Sequence, residues 1–204
     1  MSRRRKIIII IFLISLLILS SFYSFLILNA NKNDKTIQKE ISVKTLYSVV
    51  HTNLESQANA WRNNSHLRYI IGGPVSRNGK SPEWYFSYYS NNLTNILTQD
   101  IITFLINEKG MIQNKEYSYN NSILSTPIVN WTLDSDQIMD AVYNDTELAN
   151  SIKSNHAVAA SLSIENKKTD LDIPVCTIRF TYLKDDEAHE FSVRVNAHTG
   201  AIIR

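Results

Sequence analysis

A long uncharged segment near the N-terminus constrains this chain more than any other feature of its sequence. Residues 7–28 read IIIIIFLISLLILSSFYSFLIL, 22 residues without a charge, and residues 3–6 before them are all Arg or Lys. A helix of this length reaches about 33 Å, enough to cross a hydrocarbon core of about 30 Å. The basic cluster favours a cytoplasmic N-terminus. We therefore expect a cytoplasmic tail at 1–6, a single-pass anchor in the cell membrane at 7–28, and an extracytoplasmic remainder.

A cleaved signal peptide is the alternative to an uncleaved anchor. Its apolar stretch spans about 7–15 residues and ends at a small-residue cleavage site, so the segment here is too long. The best cleavage candidate, after Ala30, carries the unfavourable Leu28 at the third position back. Serines at positions 20, 21 and 24 nevertheless leave cleavage and release open. Anchoring through a lipid-modified cysteine is excluded, because the only cysteine is Cys176.

The charge balance outside the anchor argues against nucleic acid as a partner. Four of the 21 basic residues precede the apolar segment, whereas all 19 acidic residues follow it. The expected outer part therefore holds 17 basic against 19 acidic residues, a formal charge of −2. A basic excess is the electrostatic footprint of nucleic-acid binding, and this part of the chain lacks one.

Cysteine and asparagine usage add two further expectations. A single cysteine forms no internal disulfide, so the outer domain depends on its core, and Cys176 lies in an alternating apolar run where a buried thiol is expected. Asn-x-Ser/Thr sequences are candidate glycosylation sites on the outer side of a membrane. There are five of them, at Asn63, Asn92, Asn120, Asn130 and Asn144.

Beyond the anchor, the periodicity predicts the order of one helix and four strands twice. In the first copy, at 36–118, an amphipathic stripe over 36–64 predicts a helix. The strands that follow are expected at 67–71, 84–89, 101–106 and 111–117. The polar segment 119–130 shows no periodicity and is expected to be a linker.

The second copy, at 131–204, begins with a helix signal. Asp134, with Gln137 three residues later, is typical of a capping box, and Asn144-Asp145 indicates a break within the helical segment. Strands are expected at 157–164, 173–183, 191–195 and 201–203. Gly110 and Gly200 close corresponding turns 90 residues apart, which suggests a duplicated α+β unit.

The second copy resembles the PepSY domain family. The resemblance rests on Trp131-Thr132-Leu133-Asp134-Ser135 before the helix, on the alternating strand Ile178-Arg179-Phe180-Thr181-Tyr182, and above all on the closing hairpin at 191–203 with its Thr199-Gly200 turn. The first copy fits less well, because Asn-Glu-Lys-Gly replaces the Thr-Gly turn. The resemblance implies a PepSY/cystatin-like fold, one helix on an antiparallel sheet in each repeat, with no catalytic residues and a proposed role in restraining peptidases near the cell surface.

The sequence contains no recognisable catalytic or metal-binding motif. The histidines, at positions 51, 66, 156, 189 and 198, do not form an H-E-x-x-H pair. Asp134, Asp136 and Asp140 are explained by the favourable interaction of acidic groups with a helix start, and 185–187 reads as a solvated loop. We therefore expect no enzyme activity, no metal and no cofactor, although catalytic residues from distant segments could still converge.

An aromatic run, WYFSYY at 84–89, is the only candidate for partner binding. Strand alternation predicts that Trp84, Phe86 and Tyr88 face a helix while Tyr85 and Tyr89 point outward. Exposed tyrosines on a strand can bind a peptide or a glycan. The leading interpretation is a non-catalytic binding or regulatory protein that acts on a peptidase or another envelope protein. The alternative is a sensory or accessory ectodomain for a small molecule or cell-wall component.

Overall fold

An antiparallel sheet is the frame of this chain, and the helices pack against it. The computed structural model describes residues 39–91, 99–120, 125–129, 131–167 and 173–204. The helices are α1 (Val43–Trp61), α2 (Ser135–Asn144) and α3 (Thr146–Ser154). The strands are β1 (His66–Gly72), β2 (Glu83–Asn91), β3 (Gln99–Asn107), β4 (Ile112–Asn120), β5 (Ser125–Thr126), β6 (Val158–Lys167), β7 (Pro174–Lys184), β8 (Glu187–Asn196) and β9 (Ile202–Ile203).

All nine described strands belong to one sheet, in the order β4-β3-β2-β1-β6-β7-β8-β9, with β5 pairing with β6. The join between the two halves is the antiparallel pairing of β1 with β6, from Tyr69 opposite Glu165 to Gly72 opposite Leu162. The predicted fold class placed two repeats, each one helix packed on an antiparallel sheet, after a transmembrane helix, and its two-repeat architecture is therefore wrong. In separate sheets β1 and β6 would each present a row of unpaired backbone groups, and their mutual pairing removes both edges.

The predicted anchor at 7–28 and tail at 1–6 lie outside the described residues. Among the helices that the structure describes, none has the length and apolarity that a membrane span requires. Membrane attachment therefore stays a prediction from the sequence.

Individual elements agree better with the sequence than the architecture does. The strands predicted at 84–89 and 101–106 lie within β2 and β3, and the strand predicted at 173–183 agrees with β7 to within one residue at each end. The predicted break at Asp145 separates α2 from α3. The first helix was predicted from Thr36, but α1 begins at Val43. Ile41 instead forms an isolated bridge with Ser81, with both backbone N–H···O distances at 3.1 Å.

The helices share one hydrophobic core with a single face of the sheet. Trp84, Phe86 and Phe104 are fully buried there, and the Trp84 indole donates a hydrogen bond of 2.9 Å to the Ile41 carbonyl. Cys176 is completely buried in this core, as predicted, and burial raises the pKa of its thiol. Further members of the core come from the helices and the second half of the sheet: Leu46, Leu54, Ile138, Met139, Val142, Ile152, Ile178, Phe180 and Val195.

One carboxylate joins the N-termini of two helices. Asp134 is the N-cap of α2 and forms the predicted capping box with Gln137. The same carboxylate accepts backbone hydrogen bonds from Lys44 (2.8 Å) and Thr45 (3.1 Å) in the first turn of α1, and a hydroxyl bond from Ser42 (2.7 Å). Burial alone would raise the pKa of Asp134, but these hydrogen bonds outweigh it and hold the pKa below its ordinary value.

The closing hairpin forms as the sequence predicts. Gly200 has φ +79, a left-handed conformation that favours glycine, and its N–H donates to the Asn196 carbonyl at 2.8 Å. Strand β9 pairs with β8, with Ile202 opposite Val195 and Ile203 opposite Arg194. Both isoleucines are half-buried.

Candidate functional site

The strongest candidate site lies on the face of β1, β2, β3 and β6 opposite the helices, here called the far face. Strand alternation explains this placement, because Phe86, Phe104 and Ile164 face the helices and their neighbours point the other way. A pocket of about 330 Å³ opens on this face near the centre of the sheet. We call it the far-face pocket, and its lining residues are Arg68, Tyr69, Ser87, Ile101, Thr103, Ser118 and Glu165.

A β-bulge supplies two consecutive side chains to this pocket. The register of β1 against β2 shifts between Leu67 and Tyr69, which leaves Arg68 as the extra residue. Regular alternation would send Arg68 and Tyr69 to opposite faces, yet both line the far-face pocket. Bulges commonly redirect side chains in this way beside functional sites.

The pocket combines opposite charges with hydroxyl groups. Burial lowers the pKa of the Arg68 guanidinium, and electrostatic interaction with Tyr89 and Glu165 opposes that effect. The hydroxyls of Ser87 and Thr103, directly opposite one another in the sheet, are 2.9 Å apart and hydrogen-bonded. The pocket therefore brings a cation, a carboxylate and hydroxyls from different strands together in one lining.

The two predicted partner-binding tyrosines have different surroundings. Tyr85 is half-buried on the far face, between Ile71 and Leu105 on the neighbouring strands. Tyr89 is only 4% exposed, so the prediction that its ring points into solvent is wrong. The Arg68 guanidinium lies 5.5 Å from the centre of the Tyr89 ring and helps to cover it.

The remaining predicted site residues do not gather into a second chemical centre. Asp136 and Asp140 lie on α2 as its sequence suggests, and His198 is exposed in the closing turn. Asp185 and Asp186 form the turn between β7 and β8, both with positive φ. Within the described ranges, no group of three or more His, Cys, Asp or Glu side chains is placed to hold a metal ion.

The glycosylation candidates fall on different parts of the chain. Asn63 is exposed just after α1, Asn144 is exposed at the end of α2, and Asn120 is the last residue of β4. Asn92 and Asn130 lie outside the described residues. Modification of these residues stays a prediction.

Sequence reasoning missed the far-face pocket. Arg68 interrupts the apolar run at 67–71, and Glu165 follows the apolar positions of β6. A charge inside an apolar strand is the signal that could have identified Arg68. Glu165 is followed by the polar residues Asn166 and Lys167 and gives no such signal. The proximity of Arg68 and Glu165 could not have been inferred, because it depends on the pairing of β1 with β6.

The far-face pocket offers groups that form hydrogen bonds and ion pairs. Its hydroxyl pair is hydrogen-bonded internally, and neither a histidine nor a cysteine is among its lining residues. Comparison with protein-family models, with curated proteins and with solved structures finds no match to this chain.

Proposed function

We propose that this chain is a membrane-anchored, extracytoplasmic, non-catalytic binding protein that engages an envelope protein through the far face of its sheet. The observation that carries the proposal is the far-face pocket, in which Arg68 and Glu165 lie beside Tyr69 and a hydroxyl pair. The partner class includes a peptidase that the binding would restrain, as the resemblance to PepSY domains implies.

The pocket chemistry suits a polypeptide ligand. A peptide segment carries hydrogen-bond donors and acceptors and often both signs of charge, and the pocket offers complementary groups of each kind. Tyr85 lies two residues from Ser87 on the same strand and the same face. Its ring extends the recognition surface with an aromatic group, a type that is enriched at protein interfaces.

The location follows from the sequence outside the described residues. The uncharged segment at 7–28 and the basic cluster at 3–6 favour one span with an inside N-terminus. Protease added to intact spheroplasts should therefore digest residues 39–204 of the full-length chain. Protection of that region in intact cells, with digestion only after lysis, would contradict the topology.

A photo-crosslinking experiment tests the binding surface. The full-length chain would carry benzoylphenylalanine in place of Tyr85, and a matched variant would carry it in place of Val49, which is 73% exposed on α1. We expect a discrete crosslinked partner from the Tyr85 position in native membranes and not from the Val49 position. Identical adducts from both positions, or none from Tyr85, would overturn the proposal.

A charge variant then connects the crosslink to the pocket. Arg68→Gln in the Tyr85 crosslinking background removes the cation, and the adduct yield should fall several-fold because a charge-assisted hydrogen bond is lost. Lys109→Gln, in the exposed β3–β4 turn, removes the same charge elsewhere and should leave the yield unchanged. If the crosslinked partner is a peptidase, its activity is then measured in membranes with and without this protein. Lower peptidase activity in the presence of this protein would show that binding restrains it.

A further inference from the structure

We propose that a second pocket, between the β1–β2 connection and the α2–α3 pair, binds a small ligand through its phosphate ester group. This pocket, here called the basic pocket, encloses about 530 Å³. The residues that carry the argument are Arg77, Tyr143, Asn150, Ile152, Lys153 and His156. The site belongs to the helix side of the molecule and does not depend on the partner proposed for the far face.

The cations of this pocket are uncompensated. Among the described residues, neither Arg77 nor Lys153 has an acidic partner within 4.0 Å, in contrast to Arg62, Arg179 and Arg204, which form ion pairs with carboxylates. No acidic side chain is among the residues that line the pocket. A local positive site therefore occurs in a region whose sequence carries a formal charge of −2.

The arginine of this pocket is in contact with an aromatic ring. The central carbon of the Arg77 guanidinium lies 4.9 Å from the centre of the Tyr143 ring, a cation–π contact that limits the positions open to this long side chain. A guanidinium carries five N–H donors in the planar fork that matches phosphate oxygens. Burial raises the pKa of Tyr143, with Arg77 opposing, so its phenol keeps its proton at neutral pH.

Backbone geometry fixes His156 at the rim of the pocket. His156 has φ +50 immediately after the C-cap of α3, where glycine is the commonest residue. The other described non-glycine residues with positive φ are Asn64, Asp185 and Asp186, which are types that adopt this conformation more readily than most. A histidine in this position adds an imidazole nitrogen beside Lys153 that glycine would not supply.

The end of α3 opposes anion binding, but its effect is the smaller one. A helix C-terminus carries a partial negative charge of about half a unit, spread over its last carbonyls. Here the Ile152 carbonyl accepts from the Ala157 N–H at 2.9 Å, and the Lys153 carbonyl accepts from the His156 N–H at 3.2 Å. Two full positive charges, on Arg77 and Lys153, outweigh this partial charge.

The shape of the site indicates a ligand larger than a bare ion. Ile152 gives the pocket an apolar wall, and Asn150 gives it an amide that can both donate and accept. A phosphate alone would use only the cationic end. A phosphate ester with a polyol or sugar body fills both parts, and the same group occurs in wall polymers, in lipid headgroups and in free metabolites.

Binding measurements on the full-length chain in zwitterionic nanodiscs test the proposal. Isothermal titration with sn-glycerol 3-phosphate should give saturable binding, and inorganic phosphate should bind more weakly. In Arg77→Gln and in Lys153→Gln the affinity for glycerol 3-phosphate should fall roughly tenfold or more, since each loses a charge-assisted contact. Lys109→Gln removes an equal charge from an exposed turn and should leave the affinity within twofold.

The remaining outcomes each decide the matter. Saturable binding only to nanodiscs containing phosphatidylglycerol, lost in Lys153→Gln, would assign the phosphate ester to a lipid headgroup. Absence of saturable binding to every probe would overturn the proposal, as would affinities that Arg77→Gln and Lys153→Gln leave unchanged. Because the side chain of Lys153 is exposed, its variant reports on the site even if Arg77→Gln lowers the melting temperature.

Discussion

The helices that precede the two halves of the sheet are capped in different ways. The first half holds β1 to β4 and follows α1, and the second half holds β6 to β9 and follows α2 and α3. In the second half, α2 starts with its own capping box, built from Asp134 and Gln137. In the first half, the N-cap residue of α1, Ser42, makes no side-chain capping bond to its own helix. The N–H groups of Lys44 and Thr45 instead donate to Asp134. The first half therefore depends on the second in two ways. Asp134 caps its helix α1, and β6 pairs with the edge of its strand β1.

The largest expected effect comes from Asp134→Ala. It removes the cap of α2 and leaves polar groups at the start of α1 without their acceptor, so the free energy of unfolding should fall by about 3–5 kcal/mol. Ser42→Ala, which removes only one donor to this carboxylate, should cost about 1 kcal/mol. Denaturant titration measures both values. Hydrogen exchange should accelerate in α1 as well as α2, and acceleration confined to α2 would break the comparison.

Gly79→Ala should give the next largest loss of stability, because Gly79, in the β1–β2 connection, lies against the backbone of Ser135 at the start of α2. Gly79 has φ +70, and a Cβ there would overlap the Ser135 carbonyl. Strain and overlap together should cost about 2–4 kcal/mol. Gly200→Ala shares the strain, with φ +79, but its nearest neighbour is a Leu133 side-chain atom at 3.3 Å. Gly200→Ala should therefore cost only about 1–2 kcal/mol. Denaturant titration measures the unfolding free energy of both variants, and equal losses would contradict the close approach of Gly79 to Ser135.

Acid should weaken the shared cap in a defined direction. The folded-state pKa of Asp134 lies below its value of about 4 in an unfolded chain, so its contribution to stability is present above that value. The contribution is lost as the pH falls through the lowered folded-state pKa. The difference in unfolding free energy between the wild type and Asp134→Asn should therefore shrink as the pH is lowered from 6 to 3. A difference that stays constant over this range would contradict the assigned role.

The smallest expected effect concerns a buried hydroxyl in the first half. Tyr88 is 1% exposed, and its hydroxyl makes no hydrogen bond of good geometry within the described residues. Its neighbour Tyr47 donates to Glu55 at 3.1 Å, and burial raises the pKa of Tyr47 to about 12. Tyr88→Phe should leave stability unchanged or raise it by up to about 1 kcal/mol. Tyr47→Phe, which removes the hydrogen bond to Glu55, serves as the comparison. A clear loss of unfolding free energy in Tyr88→Phe would show that the Tyr88 hydroxyl forms a stabilising hydrogen bond.

Local signals in the sequence predicted local structure well. The Asp134 and Gln137 spacing identified a capping box, alternation located β2 and β7, and Thr199-Gly200 identified a tight turn. Each of these depends on residues close together along the chain. The sequence pattern did not reveal that Asp134 also serves α1, because that contact joins positions 90 residues apart.

The errors share a physical cause. Pairing of β1 with β6 uses backbone groups that every residue carries, so nothing in the side-chain pattern distinguishes one sheet from two. Tyr89 was predicted to be exposed because alternation along β2 assigns it to the far face, but the Arg68 guanidinium of the neighbouring strand covers its ring. The far-face pocket depends on the pairing of β1 with β6 and on the bulge at Arg68, and of its two charged residues only Arg68 interrupts an apolar run.

The pairing of β1 with β6 also has a consequence in time. A chain that emerges from the ribosome N-terminus first exposes β1, with its apolar Ile70 and Ile71, well before residues 158–167 exist to pair with it. The edge of β1 therefore has no strand to pair with until the chain has been synthesised from Gly72 to the end of β6 at Lys167. Contacts so distant along the chain slow folding, and an unpaired apolar edge invites association with other chains. We therefore expect newly made copies of this protein to be most prone to association until residues 158–167 have been synthesised.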